Sequence, residues 1–151
     1  MILDEFLEFA DATALDTSGT DTDLIGDVVD LGATVPDLGN GQPLYFVIQV
    51  DTAVTSGGSA TVQFHLASDA AAAIATDGSA TYHWSSAAIG KATLVAGYEL
   101  ITPVPLNGSN AYERYLGMLT TTGTAALTAG KVNAFLTYDP RGWKSYPDAT
   151  N

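Results

Sequence analysis

The stretch Leu44 to Leu66, "LYFVIQVDTAVTSGGSATVQFHL", decides the fold class. Its first eight residues are apolar on both alternating faces until Gln49, which suits a strand lying centrally and covered on both sides by the domain or by another subunit. The turn formers "TSGGS" at 55–59 then break the chain. Beyond them "ATVQFHL" alternates, with Ala60, Val62, Phe64 and Leu66 on one face and Thr61, Gln63 and His65 on the other. That pattern predicts a strand with one wet side.

The same grammar recurs outward from this stretch. "DVVDL" at 27–31, "ATYHW" at 80–84, "YELIT" at 98–102, "ERYLGML" at 113–119 and "KVNAFLTY" at 131–138 read as strands, with "TAALT" at 124–128 as a weaker one. Turn clusters separate them: "VPDLGNGQP", "TDGS", "PLNGSN" and "TTGT". The expectation is an all-β chain, a single-domain jelly roll or β-sandwich of about eight antiparallel strands. "SDAAAAIA", from Ser68, has an N-cap and helix-forming residues but is too short for a stable helix, so it is expected to be a long loop with one helical turn.

Both ends depart from strand grammar. Residues 1–9, "MILDEFLEF", carry Ile2, Leu3, Phe6, Leu7 and Phe9, and at that length periodicity does not separate helix from strand. An apolar terminus of this kind is expected to dock rather than fray. Residues 139–151, "DPRGWKSYPDATN", form an irregular tail holding Trp143 and Tyr146. No repeat and no hydrophilic linker divides the chain, so residues 1–151 are expected to form one domain.

A chain of 151 residues buries roughly 70% of its unfolded surface, enough for one core without staples. No cysteine is present to add one. The net charge of -12 is uneven: 13 acids and no Lys or Arg precede residue 91, and 4 acids and 5 bases follow from Lys91 onward. Such a surface repels phosphate, which argues against nucleic acid as a ligand. The acid excess otherwise serves solubility. "MILDEFLEFADA" has acid where a secretory signal needs basic residues, and no apolar run approaches the ~20 residues that span a bilayer, so the chain reads as soluble, unexported and without a membrane partner.

Chemistry is sparse. His65 and His83 sit at outward or edge strand positions with no second histidine nearby, and no set of three or four converging metal ligands is visible. "DTSGTDTD", Asp16 to Asp23, lacks the alternating ligands, central glycine and terminal glutamate of a calcium-binding EF-hand loop and is expected to be a solvated loop. No GxSxG elbow exists, "SGGS" lacks the GK[ST] of a phosphate cradle, and the 17 acids single out no catalytic pair. No catalytic residue, metal or cofactor is predicted. Tyr82, Trp84, Tyr138, Trp143 and Tyr146 could form a sugar-stacking platform, but such residues are more often core or subunit contacts.

Glu113 and Arg114 head an apolar strand. Neighbours on a strand point to opposite faces, so the two cannot pair with each other. Either both sit at a wet rim, or Arg114 lies at an interface and finds a carboxylate in the same chain or a neighbour.

The ordered series "MILDEFLEFADATAL", "DVVDLG", "GQPLYFVIQVDTAVTSGGSATVQFHL", "LVAGYEL", "ERYLGML" and "LTAGKVNAFLTYDP" resembles the small capsid cement, or decoration, proteins of tailed bacteriophages, over residues 1 to 140. That resemblance implies a jelly-roll homotrimer on the outer surface of the virion, made in the host bacterial cytoplasm and bridging copies of the major capsid protein. Contact residues expected on that reading are Ile2, Leu3, Phe6, Arg114, Tyr115, Arg141, Trp143 and Lys144. A carbohydrate-binding or host-adhesion jelly roll is the alternative. The sequence departs from the family pattern at Gly117, where a charged or polar residue often follows "ERYL", and in the tail "RGWKSYPDATN".

Overall fold

The structure, a computed structural model, describes residues 5–106 and 110–141. Among the described residues a 3₁₀ turn, Glu5–Leu7, leads into nine strands: β1 (Glu8–Ala14), β2 (Thr22–Asp30), β3 (Tyr45–Thr55), β4 (Thr61–Asp69), β5 (Thr81–Ser85), β6 (Ile89–Gly90), β7 (Glu99–Pro103), β8 (Tyr115–Gly123) and β9 (Ala129–Thr137). The first sheet runs β1-β9-β3-β7 and the second β2-β8-β4-β5, with the two-residue β6 beside β4. Every pairing is antiparallel. Setting β6 aside, this is the strand order of an eight-stranded jelly roll.

The core lies between the sheets because β3 and β4 each turn alternate apolar side chains inward. Phe46, Ile48 and Val50 from β3 meet Val62, Phe64 and Leu66 from β4. Phe46 is 0% exposed and meets the Phe9 and Trp84 rings edge-on, at 5.5 and 6.1 Å between centroids. Full burial of a phenylalanine contributes roughly 1.5–3 kcal/mol. As expected, β3 is central, buried on both faces from Phe46 to Val50. Even Gln49 is enclosed, and its side-chain amide donates to Glu99 Oε1 at 2.8 Å.

The structure bears on four expectations. First, the opening segment, whose periodicity fits either helix or strand, is from Glu5 onward a 3₁₀ turn followed by a strand, and Phe9 is a core residue at 1% exposure. Second, "TAALT" lies between β8 and β9; the Ala125 amide donates to Gly123 C=O, and Leu127 plugs the core from that turn. Third, "SDAAAAIA" is a long loop beyond Asp69, as expected, but holds no helical turn. Asp69 ends β4 and its two carboxylate oxygens accept from the Ala71 and Ala75 amides, closing the local turn that competes with a helix. Fourth, the far side of β4 is wet only in part: Thr61 and Gln63 are half-buried, whereas His65 and Ala67 are buried. Residues 70–80 form a strap over the outer face of the second sheet, where Ile74, Ala80, Ala67 and Leu119 make a second apolar cluster with Leu24, Val28 and Tyr82. On the same face His65 is 7% exposed, enclosed by the Tyr82 ring and bonded to the Ser85 and Thr121 hydroxyls.

Gly117 explains how the strap seats. A Cβ there would lie 2.6 Å from Ile74 Cδ1, 3.1 Å from Leu24 Cδ1 and 3.3 Å from Val28 Cγ1. The bare backbone is the floor of the notch that Ile74 fills. The departure of this chain from "ERYL" followed by a polar residue is thus matched by an isoleucine supplied from the strap.

Candidate functional site

β8 begins at Tyr115, so Glu113 and Arg114 lie just ahead of it rather than in it. They do not pair with each other. Arg114 grips Asp30, at the end of β2, through two parallel bonds: Nε donates to Oδ1 at 2.9 Å and a terminal nitrogen to Oδ2 at 2.8 Å. The carboxylate that Arg114 needs therefore comes from "DVVDL" in the same chain. The guanidinium also lies 4.9 Å from the centre of the Tyr115 ring, close enough for a cation–π contact. Arg114, helped by the Gly32 amide, holds the Asp30 carboxyl down at about 2. Arg114→Ala should return Asp30 to the ordinary carboxylate range in an NMR titration; a carboxyl still titrating near 2 would show that Gly32 alone sets it. A lowered carboxylate favours the folded state above its unfolded value, so the pair's contribution disappears as pH falls from 3.8 through about 2.

Glu113 turns the other way. Its carboxylate accepts from Thr81 Oγ1 at 2.8 Å, and its amide donates to Ser68 Oγ at 2.9 Å. Ser68 Oγ meets His83 Nε2 at 2.7 Å, and the His83 ring stacks on Tyr112 with centroids 3.8 Å apart. Burial pushes the Tyr112 phenol up to about 12, and its hydroxyl donates to Pro105 C=O. Ser68 and His83 hold the atoms of a nucleophile and its base, but Ser68 is 0% exposed.

A groove runs between the 3₁₀ turn, β1 and β2. Its two adjoining hollows, each of about 460 Å³, share Glu5, Glu8 and Asp27. One extends to Asp11 and Thr13, the other past Phe6 and Val28 to Asp30 and Gly32. Burial, then Asp11 and Glu5, pushes the Glu8 carboxyl up. Phe6 stands at the rim with 86% of its surface exposed. The groove thus brings Phe6 to the same hollow as Asp30, the residue that Arg114 grips. Arg141 lies in a separate shallow hollow with Gln42, Tyr45 and Tyr138, its guanidinium bonded to Asp139 at 3.0 Å. Ile2, Leu3, Trp143 and Lys144 fall outside the described residues.

The aspartates of "DTSGTDTD" are drawn together more than a solvated loop implies. Asp16, Asp21 and Asp23 each bring one carboxylate oxygen within 4.8 Å of the others, the only such group of possible metal ligands among the described residues. Asp23 Oδ2 is buried without a hydrogen-bond partner, and burial, then Asp16 and Asp21, pushes its carboxyl up. Oxygen donors of this kind suit a hard cation, although exposed acidic groups commonly gather without one. The convergence was invisible in the spacing because the β1–β2 turn, not a ligand loop, creates it.

The sugar platform does not assemble from its described members. A register shift between Leu66 and Ala67 in the β4–β5 pairing places Trp84 in the inter-sheet core and Tyr82 in the outer cluster, on opposite faces. Tyr82 meets the His65 ring edge-to-face, with centroids 4.9 Å apart.

Among known proteins, the family model described as Bbp16 matches residues 9–136. No curated protein matches the chain.

Proposed function

The chain belongs to the Bbp16 family, and we propose that it is a capsid cement protein: a structural virion protein that binds the outside of a tailed-phage head as a homotrimer and reinforces contacts between major capsid protein subunits. The observation that carries this reading is Phe6, 86% exposed on the rim of the β1–β2 groove. An exposed aromatic side chain beside a cleft suits an anchor for a partner's surface. The carboxylates of Glu5, Glu8, Asp11 and Asp27 make that cleft a seat for a basic segment of the shell protein. Weak grips of this kind add through effective concentration when one trimer holds several shell subunits.

Co-sedimentation with empty shells, paired with mass measurement in solution, tests the proposal. The expected result is a trimer that pellets with shells, and a Phe6→Ala variant whose apparent affinity falls about tenfold or more. A monomer that stays in the supernatant, or a Phe6→Ala protein that decorates shells as the parent does, overturns it.

A further inference from the structure

Ser68 lies where β4 enters the strap, and Thr81, its cross-strand partner, lies where the strap ends. Glu113 holds both, Ser68 by its amide and Thr81 by its carboxylate. The Ser68 hydroxyl has one proton and two lone pairs to place. The Glu113 amide can only donate, so it occupies a lone pair. The second partner of Oγ is His83 Nε2, and with Ser68 fully enclosed the hydroxyl proton is directed at that nitrogen's lone pair. Such a lone pair exists only on a neutral imidazole. His83 therefore carries its single ring proton on Nδ1.

We infer that this hydrogen-bond chain is an acid-sensitive clasp: protonation of His83 Nε2 removes the acceptor of the buried Ser68 hydroxyl, loosens Glu113 from both ends of the strap and lets residues 70–80 lift from the outer face of the second sheet. A protonated Nε2 can still donate to Oγ, but the hydroxyl proton is then orphaned in an enclosed site. What the strap releases is the apolar seat of Ile74, formed by Ala67, Leu119, Leu24 and Val28.

The groups around His83 are accounted for. From the segment before β8, the Glu113 carboxylate favours the charged ring, Tyr112 stacks with its hydroxyl committed to Pro105, and Arg114 is held by Asp30. From β4, Asp69 is turned to the strap amides. On β5 itself, Tyr82 packs on His65. Burial outweighs Glu113 and keeps His83 below its ordinary 6.5. A depressed histidine favours the fold fully above 6.5, and that contribution is lost as pH falls through the folded value. His65 is depressed by burial as well, but both its nitrogens meet hydroxyls, of Ser85 and Thr121, that can accept from a charged ring.

Amide hydrogen exchange of the full chain, corrected for intrinsic rates, tests the clasp. Between about pH 7.5 and about pH 5.5, protection within residues 70–80 should fall about tenfold in the parent, with the Ala75 amide the clearest reporter. His83→Gln keeps an acceptor that does not titrate, and its strap should stay protected at both pH values. Ser68→Ala removes the hydroxyl proton and should flatten the pH response even if His83→Gln folds poorly. Strap protection in the parent that ignores pH, or a fall that persists in Ser68→Ala or disappears in His65→Gln, overturns the inference.

Discussion

Gly26→Ala should lower the stability of the fold by about 3 kcal/mol or more. Gly26 sits in β2 at φ +72°, within the register shift between Ile25 and Val29 against β8. A left-handed backbone costs a residue with a Cβ roughly 1–2 kcal/mol. Here the Cβ would also lie 1.9 Å from the Phe9 carbonyl oxygen and 3.0 Å from its carbon, both backbone atoms of β1. No rotamer relieves a clash with main chain, so β1 must move away from β2, taking Phe9 out of the core. Gly41 supplies the control, since it has φ +82° with nothing within 4 Å of its Cβ position. Gly41→Ala should cost only the backbone part, roughly 1–2 kcal/mol. Urea unfolding midpoints decide the matter: equal losses at both positions would show that the β1–β2 contact yields.

Gly117→Arg should cost about 2–3 kcal/mol and detach the strap. The first obstacle is Ile74 Cδ1, the free end of a side chain, so the new residue is accommodated by pushing Ile74 out of its notch. Residues 70–80 should then become a site of protease nicking at neutral pH. In an Ile74→Ala background the same substitution should cost about 1 kcal/mol less, because the two positions compete for one volume. Additive losses would mean that Leu24 and Val28 on β2, rather than the strap, resist the arginine.

Most of the strands were legible, because alternation and turn residues are local signals that do not depend on distant parts of the chain. β3, β4, β5, β7, β8 and β9 all begin within a few residues of where the pattern places them. β1 escaped because its Glu8, Asp11 and Thr13 interrupt alternation where the strand carries register shifts against β9. β6 escaped because two residues carry no period. In the candidate site, Phe6, Arg114 and Tyr115 were named from residue type and position, whereas the groove joining Phe6 to Asp30 was not visible. The clasp of Ser68, Thr81, His83 and Glu113 was missed outright, since its members came from a presumed loop, a strand edge and a strand head.

What the sequence by itself determined is the all-β class, the central place of "LYFVIQVD" and the want of any local catalytic signature. Each is a statement about neighbours along the chain. The tertiary structure alone decided which polar group answers which. Arg114 finds Asp30 across 84 residues, and the outer face around Ala67 and Leu119 goes dry because a strap attached at Asp69 lays Ile74 across it. The face of a strand is set by its own period, but whether that face meets water depends on what another part of the chain lays across it.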